Sequence, residues 1–395
     1  MPTPTSPPAR IAARMSDIAP FHVMELLARA QALEAAGRDI VHMEVGEPDF
    51  PTPEPIVEAA ARYVAAGRVP YTPALGIPAL RAAIATFYRE RYLVDVAPER
   101  IVITAGASGA LLLALGVLTN PGDEFLLADP GYPCNRHFVR TFEGVPRPIR
   151  VDAACNFQPT AAHWEAAWTP RTRGLILSSP SNPTGSLIDR NDLIDLISAI
   201  EMRAGTLISD EIYHGLTYAT SASSALEFTP DAFVVNSFSK YFGMTGWRLG
   251  WLVVPEAYLR AVEKLAQNLF ICASAPAQYG ALAAFAPSTL DMLEARRETL
   301  ATQRDVLLPA LRDLGFEVRA EPQGAFYIYA DCSRLATDSA TLCHDLLDQA
   351  GVAVTPGVDF GEFEPASHLR FSYVANVSRL QEGVRRMRQY FAARA

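Results

Sequence analysis

Residues 233–250 read FVVNSFSKYFGMTGWRLG, a short apolar run that leads into a single lysine, Lys240. The run Phe233-Val234-Val235 is typical of a buried strand, and the aromatic residues after the lysine favour burial of its side chain. An amine attacks a carbonyl carbon only where burial or neighbouring cations disfavour its charged form. Lys240 is therefore a candidate nucleophile; the alternative is a surface lysine at the end of a strand.

Further short apolar runs elsewhere in the chain have the same strand-like character, and longer helical patterns separate them. They lie at residues 101–104, 125–127, 174–177, 206–208 and 252–254. Short, nearly continuous apolar strands that alternate with helices predict an α/β fold, with a mostly parallel central sheet flanked by helices.

Small, polar or ionisable residues follow five of these runs. These segments are Gly106-Ala107-Ser108, Asp129-Pro130-Gly131-Tyr132, Ser178-Ser179-Pro180-Ser181-Asn182-Pro183, Asp210-Glu211-Ile212-Tyr213 and Ser237-Phe238-Ser239-Lys240. Ligands of open α/β sheets bind in the crevice outside the carboxyl ends of the strands. We therefore expect the five segments to form one shared site.

The length of 395 residues exceeds what one hydrophobic core usually organises, so we predict two domains. We expect residues 1–15 to be a flexible tail and residues 16–50 to be an N-terminal arm that forms part of a small domain. A helix fits residues 23–36 within that arm. Residues 51–287 are predicted to form the large domain, and residues 288–395 a smaller α+β domain.

Composition excludes several classes of protein. With 34 basic and 43 acidic residues the net charge is −9, which argues against nucleic acid or an anionic membrane as a partner. No apolar run approaches the roughly 20 residues that span a bilayer. The five cysteines are scattered without a Cys-x-x-Cys pair, which suggests neither a disulfide framework nor a metal site and favours the cytoplasm.

Residues 237–250 resemble the cofactor-attachment signature of class I/II aminotransferases, which depend on pyridoxal 5′-phosphate (PLP) and have fold type I. The resemblance extends over roughly residues 16–390, follows the order of the family's motifs, and is strongest to the bacterial aspartate, aromatic and alanine aminotransferases. It implies that Lys240 carries PLP as a Schiff base and later acts as general acid and base.

The resemblance also assigns residues to the cofactor ring. Asp210 is expected to keep the pyridine nitrogen protonated, as an electron sink requires. Tyr213 and Asn182 are expected to donate hydrogen bonds to the ring's phenolic oxygen. Tyr132 corresponds to the aromatic residue that covers the face of the ring.

The phosphate of the cofactor requires amide donors at a helix N-terminus together with a cation. In the family a segment that matches Gly106-Ala107-Ser108 cradles this phosphate, and we expect the following helix to begin near Ala110. The other residues assigned to cofactor binding are Ser237, Ser239 and Arg248. Tyr71 resembles a tyrosine that reaches the phosphate from the neighbouring subunit, which implies a homodimer.

Substrate binding requires a rigid fork for the α-carboxylate, which arginine provides and lysine does not. Arg370 resembles the family's carboxylate-binding arginine, and Asn182 is expected to contact the same substrate. Gly46 resembles the glycine whose backbone approaches the carboxylate.

The implied reaction is ping-pong transamination, with 2-oxoglutarate as the acceptor by analogy with the family. Aspartate-preferring members of the family often carry a lysine at the position of Ser108, so its absence favours a neutral, hydrophobic or aromatic amino donor. Aspartate stays open as a donor, because another side chain could supply the charge.

Three alternatives stay open from the sequence. A β-lyase or a decarboxylase could use the same scaffold. A regulatory module of this fold would carry an added DNA-binding domain, for which the short N-terminal segment leaves no room. A serine hydrolase would use Gly106-Ala107-Ser108-Gly109-Ala110 as its nucleophile elbow, but Ala110 replaces the last glycine of that motif, and His368 is its one candidate late histidine.

Overall fold

A computed structural model describes residues 10–20 and 22–394 of the chain. The predicted flexible tail therefore lies mostly outside the described residues, and Ala13–Asp17 form a short 3-10 helix. None of the helices in the described ranges is both long and apolar enough to span a bilayer.

The α-helices of the described chain carry labels in chain order. They are α1 (His22–Ala35), α2 (Glu54–Ala65), α3 (Pro78–Tyr92), α4 (Gly106–Leu118), α5 (Pro133–Thr141), α6 (Ala161–Ala167), α7 (Arg190–Met202), α8 (Leu259–Leu269), α9 (Ala275–Ala281), α10 (Pro287–Asp313), α11 (Ser339–Asp345) and α12 (Val377–Ala392). The strands are β1 (Val41–His42), β2 (Ile101–Thr104), β3 (Glu124–Asp129), β4 (Val145–Arg150), β5 (Thr172–Ser178), β6 (Thr206–Asp210), β7 (Phe233–Ser237), β8 (Gly250–Val253), β9 (Tyr327–Asp331), β10 (Val352–Ala353), β11 (Thr355–Pro356) and β12 (His368–Ser372).

The central sheet has seven strands in the order β2-β8-β7-β6-β5-β3-β4. Strands β4, β3, β5, β6 and β7 run parallel, whereas β8 is antiparallel to both of its neighbours, β7 and β2. Strand β2 therefore points the same way as β7, and all the strands except β8 end at one edge. The prediction of a mostly parallel sheet flanked by helices is confirmed.

Apolar side chains on both faces of the sheet hold the helices in place. Neighbouring strand residues alternate between the two sides: Leu126 packs in one core cluster, and Phe125 and Leu127 pack in the other. Helices α4 and α8 cover the second face through residues such as Leu111 and Val262, which are fully or nearly fully buried. Burial on both faces explains why these strands read as continuous apolar runs.

All six predicted strand segments form strands, but the sequence analysis missed β4. This strand reads VPRPIR and pairs only with β3, at the edge of the sheet. Pro146 and Pro148 lack the amide hydrogen that a central strand needs, and an edge strand tolerates this loss. One helix boundary also differs from the prediction: α4 begins at Gly106, four residues before Ala110.

The chain after the large sheet forms a second layer of structure. Strands β11, β12 and β9 form a three-stranded antiparallel sheet, and β1 pairs in parallel with β10. The pairing of β1 with β10 joins the N-terminal arm to the C-terminal part of the chain. The exact domain boundaries stay a prediction.

Candidate active site

A cavity of about 330 Å³ lies at the carboxyl edge of the central sheet, closed on its other sides by α1 and β12. Its size suits a small cofactor or metabolite. The residues predicted for the site that line it are Gly46, Ala107, Ser108, Tyr132, Asn182, Asp210, Tyr213, Ser239, Lys240, Arg248 and Arg370.

Lys240 lies just beyond β7, and its side chain is partly buried in the cavity. Its Nζ donates a 2.6 Å hydrogen bond to the carbonyl oxygen of Gly46. Burial lowers the pKa of Lys240 to about 8, the nearby Glu47 opposes this shift, and Arg248 and Arg370 add to it. A substantial fraction of the side chain is thus a neutral amine near physiological pH.

Asp210 ends β6 and is 5% exposed. Its Oδ1 accepts a 3.2 Å hydrogen bond from the Ile212 amide, and its Oδ2 lies 3.5 Å from the Ser178 hydroxyl. Burial raises the pKa of Asp210 to about 6. No lysine or arginine of the described chain forms an ion pair with this carboxylate, so its charge calls for a cationic ligand.

The first turn of α4 faces the cation Arg248 at one end of the cavity. Gly106 has a φ of +70°, and a Cβ at this position would lie 2.6 Å from Arg248 Nη2. A Cβ on Gly250 would lie 2.8 Å from the carbonyl carbon of Gly106. The two glycines thus let the backbone and the guanidinium approach each other closely, and the free amides of a helix N-terminus beside a cation form an anion site.

Ser237 and Ser239 differ in their positions. The Ser239 side chain lines the cavity, and its Oγ lies 3.5 Å from Arg248 Nη1. Ser237 is buried behind it, 2.9 Å from Ser239 Oγ and 3.1 Å from the carbonyl oxygen of Leu249. Ser237 therefore orients Ser239 in this structure.

Arg370 lies on β12 and is 2% exposed. Its Nη1 donates to Asn182 Oδ1 at 2.9 Å, and its Nη2 donates to the Glu44 carbonyl at 2.6 Å and to Thr355 Oγ1 at 3.2 Å. The guanidinium also lies over the ring of Tyr327, 4.3 Å from its centroid. These contacts use three of its five N–H groups, which leaves two donors in a fixed plane for a carboxylate.

Comparison with known proteins explains this arrangement. The family model of aminotransferase class I and II matches residues 38–386. The valine–pyruvate aminotransferase of Mycobacterium tuberculosis is 39% identical over 380 residues, which cover 96% of this chain and 97% of the relative. The chain belongs to the class I and II aminotransferase family.

Further relatives of this aminotransferase support the assignment. The aspartate aminotransferase of Thermotoga maritima is 34% identical over 97% of this chain and 100% of its own length. The crystal structure of an aminotransferase from Mycobacterium tuberculosis superposes with a TM-score of 0.95 at 38% identity, over 98% of this chain and 100% of that one. The predicted family, enzyme class and fold type are confirmed, and PLP is the cofactor of the family.

The cavity of this aminotransferase fits PLP on its own chemistry. The anion site at α4 and Arg248 suits the phosphate, and the buried carboxylate of Asp210 suits a protonated pyridine nitrogen. The partly neutral amine of Lys240 lies in the same cavity and suits the aldehyde. The individual roles of these residues are proposals.

Three predicted cofactor residues do not line the cavity. Gly106 and Ser237 lie directly behind residues that do. Tyr71 is 80% exposed and lies outside the cavity of its own chain. Its position is compatible with a role in a neighbouring subunit.

The sequence analysis missed Tyr327 and the apolar wall of the cavity. The hydroxyl of Tyr327 lies 3.0 Å from that of Tyr213, and a Cβ on Gly46 would lie 2.7 Å from it. Helix α1 supplies the wall with Val23, Met24 and Leu27. The periodicity of α1 predicts a helix with one apolar face, but it does not reveal that this face covers a ligand cavity.

The serine-hydrolase alternative finds no support in the geometry. His368, the one histidine considered for it, stacks on Tyr329 with ring centroids 4.7 Å apart. Its Nδ1 contacts Ser367 Oγ at 2.9 Å, and the residue does not line the cavity that contains Ser108. His368 is therefore not placed to act as a general base for Ser108.

Proposed function

We propose that this aminotransferase moves the amino group of a neutral, hydrophobic or aromatic L-amino acid to a 2-oxo acid, in a ping-pong reaction. The observation that carries the proposal is the set of cations in the cavity. Within the described chain, only Lys240, Arg248 and Arg370 contribute positive charge to its lining. Each of them has a task in transamination, so the described chain itself offers no further cation to a second carboxylate of the donor.

The apolar wall of α1 supports the same donor class. Val23, Met24 and Leu27 face the cavity, together with Leu111 and Ile212. Burying apolar surface of a substrate against such a wall contributes about 25 cal/mol per Å². The relatives named above act on valine and on aspartate, so their names alone do not decide between the donor classes.

The acceptor 2-oxo acid would bind in the same cavity, against the same apolar wall. The acceptor 2-oxoglutarate carries a distal carboxylate, whereas pyruvate, which appears in the name of the Mycobacterium tuberculosis relative, carries none. We propose 2-oxoglutarate as the acceptor on family analogy, and its second carboxylate then requires a cation from a neighbouring subunit. Pyruvate is the comparison that tests this requirement.

PLP supplies an aldehyde for the substrate amine and a ring that withdraws electrons. Asp210 would hold the proton of the ring nitrogen. Its own negative charge would stay unpaired without the protonated ring. Tyr213 and Asn182 donate to the phenolic oxygen. The amides of Ala107 and Ser108, with the Arg248 guanidinium, hold the phosphate.

Lys240 and Arg370 act on the substrate. Arg370 binds the α-carboxylate through its two remaining N–H donors and so fixes the orientation of the Cα–H bond. Lys240 Nζ, once the substrate has taken its place, would remove the α-proton and return it to the cofactor carbon that bears the transferred amino group. A lysine with a pKa near the working pH suits both directions of this transfer.

We also propose a homodimer in which Tyr71 completes the cavity of the partner. Exposed apolar side chains include Val57 and Val64 on α2 and Ile271 before α9, and α9 contacts the Tyr71 segment through a 2.9 Å hydrogen bond from Gln278 to Thr72 Oγ1. An exposed apolar surface of this kind supports an interface. The five cysteines are free thiols, which supports the cytoplasmic location that we predict.

A screen of amino donors tests the proposal. We expect valine, alanine, methionine and phenylalanine to give higher kcat/KM than aspartate, with 2-oxoglutarate and pyruvate tested separately as acceptors. The keto acid should form in equal amount to the new amino acid; ammonia as a main product would instead indicate a β-lyase, and carbon dioxide a decarboxylase. A kcat/KM for aspartate above those of all neutral donors would overturn the proposed donor class.

A further inference from the structure

Glu211 and His214 form a buried pair directly behind the cofactor carboxylate. Glu211 follows Asp210 in the chain and is 1% exposed, and His214 is 4% exposed. Glu211 Oε2 and His214 Nδ1 lie 3.4 Å apart, and neither atom has a hydrogen-bond partner in the described chain. Catalysis as derived above uses neither side chain.

The two oxygens of Glu211 have different surroundings. Oε1 accepts hydrogen bonds from Ser209 Oγ at 3.1 Å, Ser224 Oγ at 3.1 Å and the Ala225 amide at 2.9 Å. Oε2 faces only His214. One oxygen is thus a saturated acceptor, and the other lies where a carboxylic acid would carry its proton.

No lysine or arginine of the described residues forms an ion pair with Glu211. The titratable groups that act on it or are acted on by it are Glu227, Tyr88, Tyr92 and His214, together with Asp210 next to it in the chain. Glu227 and Asp210 are acidic, and the two tyrosines are neutral. A buried anion in this setting would be strongly disfavoured.

We propose that Glu211 is a neutral carboxylic acid whose Oε2–H donates to His214 Nδ1, and that the pair positions the Asp210 turn and the Asn182 loop. The proposal rests on the cofactor role proposed for Asp210 and deepens it. Burial raises the pKa of Glu211 to about 8 and lowers that of His214 to about 3, which agrees with two neutral partners.

The His214 ring lies close to the contact between the two segments. The Asp210 carbonyl accepts a hydrogen bond from the Ser179 amide at 3.3 Å, so the turn and the loop already meet at this point. The Ser179 backbone raises the pKa of the His214 ring, but Nε2 has no hydrogen-bond partner in the described chain. With Nδ1 as the acceptor from Glu211, the remaining ring proton lies on Nε2.

The neutral state of Glu211 has an electrostatic consequence. A charged Glu211 would place a second anion beside Asp210 and raise the pKa of Asp210 further, so that more of Asp210 would be protonated when no cationic partner is bound. A neutral Glu211 leaves Asp210 as the single negative charge in this region. The pair therefore orients the cofactor carboxylate without competing with it for the ring proton.

Nitrogen-15 NMR of the histidine rings tests the protonation state without any cofactor. The chain has only seven histidines, and a His214→Gln variant assigns the signal. We expect His214 to show a bare Nδ1 and a protonated Nε2, unchanged from about pH 5 to about pH 8. Two protonated nitrogens at neutral pH would mean that Glu211 is an anion, and this result overturns the proposal whether or not Asp210 binds PLP.

Two substitutions of Glu211 test the positioning role. Glu211→Gln keeps the acceptor Oε1 and a donor toward His214, so it should preserve PLP affinity and the pH at which the visible band of the holoenzyme titrates. Glu211→Leu removes both contacts and should weaken PLP binding by roughly tenfold or more, the size typical of losing a residue that orients a ligand. A Glu211→Gln variant as defective as Glu211→Leu, or a Glu211→Leu variant with normal PLP affinity, would contradict the positioning role.

Glu124 provides the matched control. It is a fully buried glutamate at the amino end of β3, whereas Glu211 follows the carboxyl end of β6. Glu124 pairs with Arg171 at 2.7 Å. Glu124→Gln should lower the melting temperature but leave the titration of the visible band unchanged. A shift of that titration in Glu124→Gln would mean that general destabilisation produces the signal, and the positioning role would then fail.

Discussion

The Nζ of Lys240 donates a 2.6 Å hydrogen bond to the carbonyl oxygen of Gly46, which lies 194 residues earlier in the chain. This contact joins the N-terminal arm to the end of β7 across the cavity. Residue 46 has no room for a side chain, because a Cβ there would lie 2.7 Å from the hydroxyl of Tyr327. The arm thus contacts the amine to which a ligand would attach.

The chain offers an unusually clean test of the attachment site, because it contains only two lysines, Lys240 and Lys264. Borohydride reduction of the yellow holoenzyme should fix the cofactor on the peptide that contains residue 240. Lys240→Ala should remove the visible band and turnover, while Lys264→Ala, an exposed change on α8, should behave like the wild type. The rate of attachment should rise with pH around a midpoint of about 8, because only the neutral amine reacts.

Asp210 should make the cofactor-free protein less stable at neutral pH. Its folded-state pKa, raised to about 6, exceeds the value near 4 of an unfolded chain, so the free energy of unfolding falls as the pH rises from about 4 to about 6. The full cost is about 3 kcal/mol. Asp210→Asn should therefore raise the melting temperature of the apoprotein at pH 8, with a smaller gain at pH 5.

The same substitution should have the opposite effect once PLP is present. The wild type gains an ion pair with the ring nitrogen, whereas the asparagine variant does not, so PLP should raise the melting temperature of the wild type more. An apoprotein that is destabilised by Asp210→Asn at pH 8 would show that the carboxylate already has a partner in the absence of PLP.

Most of the fold follows from the sequence because strands buried on both faces leave a continuous apolar signal. Strand β4 was not predicted, because a strand that contains Pro146 and Pro148 is acceptable only at the edge of a sheet. The position of a strand in the sheet is known only once the sheet is assembled. Tyr327 was not predicted as a residue of the site for a similar reason. Its residue type fits any strand, and its role depends on Tyr213, which is 114 residues away in the chain.

Arg370→Lys should raise KM for every amino donor while leaving the visible band intact. Lysine keeps the charge but has no guanidinium. It cannot donate to Asn182 and to the Glu44 carbonyl and still offer two donors to the substrate. We expect kcat/KM to fall by roughly one to two orders of magnitude, which corresponds to losing one or two charge-assisted hydrogen bonds. A selective loss for one donor would mean that Arg370 binds a side chain and not the common α-carboxylate.

Subunit mixing tests the proposed contribution of Tyr71. Homodimers of Tyr71→Ala and of Lys240→Ala should each have little activity, the first through weak PLP binding. In a mixed dimer one cavity combines the intact Lys240 of one chain with the intact Tyr71 of the other. Unfolding and refolding the two variants together should therefore restore up to about a quarter of the wild-type activity, because about half of the dimers are mixed. No recovery, with mixed dimers present, would place Tyr71 outside the partner's cavity.

The substrate preference should be reversible at Ser108, which lines the cavity from the first turn of α4. Ser108→Lys adds a fourth cation to the described lining. A distal carboxylate of the substrate then gains a partner, and the serine hydroxyl is lost. Ser108→Met has a side chain of similar length without the charge and loses the same hydroxyl, which makes it the matched control. In Ser108→Lys, the ratio of kcat/KM for aspartate to kcat/KM for valine should rise by roughly tenfold, which is the effect expected of a single ion pair that is exposed or half-buried. In Ser108→Met this ratio should stay unchanged. An equal ratio in the two variants would show that charge at this position does not select the donor.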